Sequence, residues 1–176
     1  MNFMTLDPGS KSAGICFVKD DKFLKSYTVS TSKIEFSARC YDLYNKTVKI
    51  VADLTKTHGL ERLDAIFVEI LNRQTNYRLL WSIGPFIMAC HPLCDKKTKI
   101  KDKTAKVDGK SVLTPSHWQK VYKVAKYKSG DKDKNSKILQ AYYKKFPKMN
   151  VQSADEAVAI FMAHMLLTAH KEGKLK

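Results

Sequence analysis

The chain has no apolar run approaching the ~20 residues that a membrane-spanning helix needs, few cysteines, few glycines and a shortage of acids. Its 176 residues carry 17 Asp and Glu against 32 Lys and Arg, a formal charge of +15. Each shortage excludes something. The first residues pass straight into a strand pattern, without a basic flank, apolar stretch and cleavage site, so the protein is expected to be soluble and intracellular, with no membrane partner. Four cysteines, Cys16, Cys40, Cys90 and Cys94, make no disulfide framework, and three of them sit in apolar or aromatic surroundings as buried thiols do. Cys90-His91-Pro92-Leu93-Cys94 lacks the second ligand pair of a structural zinc site and reads as a helix end with packed thiols. No glycine-rich phosphate loop is evident, and the length leaves no room for the second lobe of an actin-like ATPase.

What is abundant is lysine. The basic excess calls for a polyanionic partner, and lysine's predominance over arginine suits contact with a phosphate backbone better than bidentate reading of bases. A solubilising lysine coat has the same composition. The length suits one α/β domain, residues 1–176, with a substantial core.

Periodicity orders the elements. Residues 2–6, 13–19 and 23–30 alternate as three successive strands, the last two joined by the polar turn Asp20-Asp21-Lys22. From Glu35 to Thr57 the apolar spacing is helical, with His58-Gly59 as a stop. Residues 63–70 form a continuous apolar run, as in a strand buried on both faces and parallel to the first. A helix is expected over Tyr77–Ala89, with Leu79, Leu80, Ile83 and Phe86 giving it more apolar surface than one sheet contact needs. Residues 95–110 are lysine-rich and read as a flexible arm or loop. Val112-Leu113 suits a last short strand, Thr114-Pro115 a helix start, and residues 152–164 a closing apolar helix.

Acids on so basic a chain are informative by position. Asp7 ends the first strand in Asp7-Pro8-Gly9, a sequence that also makes ordinary turns. Glu69 ends the buried run, where a carboxylate is costly unless paired or metal-bound. If the two strands are parallel neighbours, Asp7 and Glu69 share one crevice at the carboxyl end of the sheet, the usual place for sites in open α/β sheets. Asp155 and Glu156 open the last helix, where the helix dipole favours acids even without a function. Packed against the same sheet edge, they would join a carboxylate cluster that repels itself unless divalent cations bridge it. Consecutive helical residues point ~100° apart, which favours Asp155 as the main participant and Glu156 as a secondary one. Candidate nucleic-acid contacts are Arg73, Arg78, Lys120, Lys123 and Lys126, together with Tyr122, whose ring among lysines suits stacking on unpaired bases. His91, His117 and His164 receive no role.

Strand-Asp7-Pro8-Gly9 followed by two strands, strand-Glu69 after a crossover helix, and a last helix opening with an acid resemble the RuvC-type Holliday junction resolvases of the RNase H-like superfamily. Pro115-Ser116-X-Trp118 and the lysine-rich segment before the last helix are similar to the compact phage and viral branch. The resemblance implies an α/β RNase H-like fold, a mixed central sheet whose first three strands are antiparallel, with helices on both faces. It implies a homodimer that binds four-way DNA junctions and makes paired nicks with two Mg²⁺ or Mn²⁺ ions per active site, held by Asp7, Glu69 and Asp155 or Glu156. In a phage or virus, the location would be the host cytoplasm or nucleoid. The family's last helix carries two acids about one turn apart; here Asp155 and Glu156 are adjacent. A nuclease for flaps, branched DNA or RNA–DNA hybrids would use the same acids, and a non-catalytic nucleic-acid-binding protein would leave them unexplained.

Overall fold

The computed structural model describes residues 1–9, 11–69, 77–101, 105–107, 110–111, 113–127 and 131–175; the side chains of 77–82 and 110–111 fall outside that description. Three strands pair antiparallel in chain order, β1 (Phe3–Asp7), β2 (Ser12–Lys19) and β3 (Lys22–Ser30). Asp20 and Asp21 turn β2 into β3 with left-handed backbones, φ 50° and 58°. A two-residue hairpin turn whose twist matches its strands requires that conformation, and Asp tolerates it better than most side chains.

Helix α1 (Phe36–His58) ends at Gly59, φ 58°, whose N–H bonds back to Thr55 O at 3.1 Å; glycine takes this left-handed cap without steric penalty. The helix carries the chain across to β4 (Ala65–Val68), parallel to β1. Two short helices, α3 (Pro115–Val121) and α4 (Lys134–Lys145), follow α2 (Tyr77–Ala89), and α5 (Ala154–Lys171) closes the chain. The five-stranded sheet has the order β3-β2-β1-β4-β5, with β5 spanning Lys99–Lys101.

Alternation along each strand builds two cores. Phe3, Cys16, Val18 and Phe67 pack with α5 and the aromatic side chains of α3 and α4. Met4, Leu6, Ile15, Phe17 and Ile66 pack with Leu43, Val51 and Leu54 of α1 and Phe86 of α2. Because helices cover both faces, β4 is apolar at every position. Thr5 is the polar exception on the α5 side, and its Oγ1 donates to Ala159 O at 2.7 Å, so the buried hydroxyl is satisfied.

Several expectations are corrected. Part of the lysine-rich segment read as a loop is strand β5, which extends the sheet parallel to β4. Asp95 Oδ1 accepts from the N–H groups of Lys97 and Thr98, Thr98 Oγ1 donates to Leu63 O, and Lys99 N–H bonds to Asp64 O, a set that turns the chain onto the sheet. Lysines on an edge strand blunt further strand pairing, so their charge was compatible with a strand all along. A two-stranded ribbon, β6 (Lys106–Val107) and β7 (Lys110–Ser111), lies where residues 112–113 were expected to form a strand; Leu113 is instead a buried bend residue, and Val112 lies outside the described residues. The last helix runs to Lys171, since Met165, Leu166, Leu167 and Ala169 continue its buried face beyond His164. Cys90 is buried with its thiol on Met4 Sδ at 3.5 Å, and Cys94 Sγ donates to Cys90 O at 3.2 Å, as packed thiols at a helix end do.

Candidate active site at the carboxyl end of the sheet

Parallel pairing brings the ends of β1 and β4 together. Leu6 pairs with Val68, and Glu69 N–H continues the ladder to Leu6 O at 2.9 Å, which sets Glu69 beside Asp7. The third acid arrives from α5. Asp7 sits opposite Gly14 of β2, and a Cβ at Gly14 would lie 1.9 Å from Asp155 O and 2.5 Å from Glu156 N. Only glycine lets the start of α5 lie directly on the strand, and that approach delivers Asp155 to the crevice.

The electrostatics are strained. Asp7 keeps some contact with solvent, but loss of hydration is the largest reason its carboxyl is raised well above the usual carboxylate range; the charge of Glu69, a hydrogen bond shared with Glu69 and the charge of Asp155 push it the same way, and Lys134 opposes them. Burial and the neighbouring carboxylates thus favour the neutral form of Asp7. Asp155 stands slightly apart, its Oδ2 accepting from Ser12 Oγ at 2.7 Å. Among the described residues no three His, Cys, Asp or Glu side chains converge as tightly as a metal ligand set requires.

Residues not singled out as site members line the same crevice. Trp118 Nε1 donates to Glu69 Oε1 at 2.5 Å. The Tyr127 hydroxyl accepts from Gln119 Nε2 at 2.6 Å, and burial with the charges of Glu69 and Asp7 pushes that phenol up to about 12. Lys134 Nζ lies 5.8 Å from the centre of the Tyr127 ring. Pro115-Ser116-X-Trp118 was a visible sequence signal for Trp118, and Tyr127, like Tyr122, stood out as a ring among lysines suited to stacking on bases; Lys134 had no signal, because only the tertiary fold brings its charge to Asp7.

Glu156 is not part of this group. It is 4 % exposed, and its carboxylate accepts from Ser26 Oγ (2.6 Å), Thr28 Oγ1 (3.0 Å) and Gln152 N–H (2.9 Å), while Ser153 Oγ accepts from Glu156 N–H (3.1 Å). The pattern Ser153-X-X-Glu156 is a helix-capping arrangement, in which the acid three residues into the helix reaches back over its start. Its secondary place beside Asp7 is thus corrected: the side chain is engaged by β3 and the cap.

Of the expected nucleic-acid contacts, Lys120, Lys123 and Lys126 are exposed on and after α3. Arg73 and the side chain of Arg78 lie outside the described residues. Tyr122 is corrected from a base-stacking residue to a packing one: its ring stacks on Phe161 at 4.0 Å and 16°, and its hydroxyl donates to Phe161 O at 3.0 Å. A groove of about 490 Å³ beside Tyr122, lined also by Lys144, Lys145 and Met165, runs along the far half of α5, with none of the three crevice acids on its walls.

No protein-family model and no curated protein matches the sequence. Solved structures do. Thermus thermophilus RuvC aligns over 100% of this chain and 99% of its own, with TM-score 0.61 and 15% identity. The fold is that of RuvC. The structure of T. thermophilus RuvC in complex with a Holliday junction substrate aligns equally well, TM-score 0.61 at 17% identity, covering 100% of this chain and 98% of that one. On this RuvC-type, RNase H-like framework, Asp7, Glu69 and Asp155 share the carboxyl end of the two central parallel strands.

Proposed function

We propose that the chain is a structure-selective endonuclease that resolves four-way DNA junctions by paired nicks, with Asp7, Glu69 and Asp155 as its catalytic acids. One observation carries this reading: at the carboxyl end of a RuvC-type sheet, burial and then the charges of Glu69 and Asp155 hold the Asp7 carboxyl well above the usual carboxylate range, on a chain of charge +15. A fold does not keep such mutual repulsion for stability; it fits a site that accepts positive charge. The donor set is all carboxylate oxygen, which suits hard divalent cations such as Mg²⁺ or Mn²⁺. Asp7, Glu69 and Asp155 would hold these ions, whose chemistry at this place would be to make a water nucleophilic and neutralise charge on the phosphate.

The chain's own residues supply the rest. Asp7, held toward its neutral form by burial and by the charge of Glu69, would release its proton to water as a cation enters. Trp118 keeps Glu69 in place, and the Ser12 hydroxyl orients Asp155. Lys134, beside Asp7, and the exposed Lys120, Lys123 and Lys126 bring the phosphate backbone to the acids, a contact that gives affinity without base reading.

Paired nicks call for two active sites related by a two-fold axis. The surface that supports a homodimer is a hollow between α1 and α2, lined by Tyr44, Val48, Ile87, Met88 and Ile100, where Met88 and Ile100 are 66% and 58% exposed. Phe86, expected on such a surface, is buried in the core. Incubation with labelled four-way junction, flap, duplex and RNA–DNA hybrid, with and without Mg²⁺, tests the proposal. Symmetric Mg²⁺-dependent nicks in the junction are expected; equal cutting of flap or hybrid would replace the resolvase with a broader nuclease, and no cutting of any substrate would reject the enzyme.

A further inference from the structure

Glu69 and Trp118 are both nearly closed off from solvent, 4 % and 2 % exposed, and they meet through a single short hydrogen bond from an indole N–H. An indole is a donor only, so Glu69 Oε1 is obliged to accept, and the Glu69 carboxylate is held as an acceptor on the side away from solvent. Tryptophan is expensive to bury with its N–H unpaired, and this chain spends that N–H on one carboxylate.

The ring is itself locked. Trp118 and Tyr122 lie one helical turn apart, and both stack on Phe161 of α5, at 6.0 Å and 28° and at 4.0 Å and 16°. Phe161 belongs to the same helix that begins at Asp155. One aromatic cluster therefore links the acid at the end of β4 to the helix that delivers the third acid.

We propose that Trp118 is the positioning residue of the site: its indole N–H fixes one oxygen of Glu69, leaves the other for a divalent cation, and ties that carboxylate to the α5 helix through Phe161. The inference rests on the nuclease reading above and adds to it a residue that touches neither DNA nor cation.

The test is Mn²⁺ binding by electron paramagnetic resonance, run on wild type and Trp118→Phe, with junction affinity measured beside it. Phenylalanine keeps a ring on Phe161 and removes only the N–H. Loss of a partner behind a ligand lowers metal affinity by about 10–100-fold. Trp118→Phe is expected to weaken Mn²⁺ by that factor and to raise the Mg²⁺ concentration for half-maximal nicking equally, with junction affinity in EDTA unchanged. Wild-type Mn²⁺ affinity in a folded Trp118→Phe overturns the proposal. If that variant does not fold, replacing Trp118 with benzothienylalanine, which has sulfur in place of N–H, gives the same two outcomes.

A second readout needs no activity. The chain has two tryptophans, so in a Trp81→Phe background the emission belongs to Trp118 alone, and Mn²⁺ should quench it with the midpoint of Mn²⁺ binding. Binding without quenching would place the ion away from Glu69 and overturn the inference. A wild type that binds no Mn²⁺ and cuts no junction overturns the nuclease reading itself, whereas a wild type that does both beside an equal Trp118→Phe overturns only the role of Trp118.

Discussion

Asp155 and Glu156 are adjacent in the chain and live in opposite electrostatic settings. Glu156 is buried, yet three donors meet its carboxylate: two hydroxyls of β3 and the backbone N–H of Gln152 just before α5. Asp155 has one hydroxyl donor, Ser12 Oγ at 2.7 Å, and otherwise its charge adds to the rise in Asp7. A buried acid surrounded by donors holds structure together. An acid turned toward other acids is unfavourable until something cationic arrives, and that is the signature of a working site. The comparison separates architecture from chemistry within a single turn of helix.

The largest effect that sharpens this contrast is loss of cleavage in the crevice itself. Asp7→Asn and Glu69→Gln should each lower the junction nicking rate by at least about 10³-fold, roughly 4 kcal/mol in the barrier, while junction binding persists or tightens as negative charge is removed where phosphate docks. Single-turnover nicking and gel-shift affinities measure the two halves. Near-wild-type, Mg²⁺-dependent nicking in either variant would break the assignment.

The helix pair comes next. Asp155→Asn should abolish measurable nicking with little change in melting temperature, and Glu156→Gln should do the reverse. Glutamine puts an N–H₂ among the donors Ser26, Thr28 and Gln152, so at least one hydrogen bond is lost in a buried place, about 1–3 kcal/mol, or about 2–4 °C of melting temperature per kcal/mol for a chain of this size. Nicking by Glu156→Gln should stay within a few-fold of wild type below its melting range. Melting curves and nicking rates on the same preparations decide it; a stable, inactive Glu156→Gln would invert the comparison.

Gly14→Ala attacks the approach that delivers Asp155 while leaving every acid in place. A methyl group there meets the backbone at the start of α5, and overpacking of this kind costs about 1–3 kcal/mol. The expected result is a lowered melting temperature together with impaired nicking that added Mg²⁺ does not restore. A variant with wild-type melting and activity would show that α5 need not lie on the strand there.

The smallest effect is a pH dependence of stability. A carboxyl raised on folding stabilises the native state below its unfolded value and loses that contribution as pH rises through the folded one. In EDTA the protein should therefore melt lower as pH is raised through the Asp7 titration, Asp7→Asn should remove most of this slope, and Mg²⁺ should reverse it. Melting curves from pH 4 to pH 9, with and without Mg²⁺, make the measurement.

Much of this was legible in the sequence. The three opening strands, the α1 crossover and the apolar β4 run followed from periodicity, and Asp7 and Glu69 followed from where those strands end. The capping pattern Ser153-X-X-Glu156 was equally present, but an acid in the first turn of a helix suits a cap and a site alike, and only the hydroxyls of Ser26 and Thr28 on β3 decide between them. Strand β5 was hidden because Lys99-Ile100-Lys101 is too short a run for its alternation to stand out from the lysines around it. Tyr122 looked available to bases because it stands among lysines; nothing local shows that Phe161, 39 residues later, covers its ring. Trp118 was quoted as part of a motif, but its partner Glu69 is 49 residues away, and contacts of that range belong to the fold.

The central claim, that the crevice acids repel one another until a cation takes the place of a proton, is tested most directly by calorimetric titration of Mn²⁺ into the protein in two buffers of different ionisation enthalpy. The buffer dependence counts protons exchanged on binding. In titrations run from pH 4 to pH 9 the wild type should bind Mn²⁺ with net proton release over the range in which Asp7 is protonated, a release that Asp7→Asn abolishes and Glu156→Gln retains. Mn²⁺ binding with no proton release at any pH where Asp7 is protonated, or no binding at all, would contradict the account.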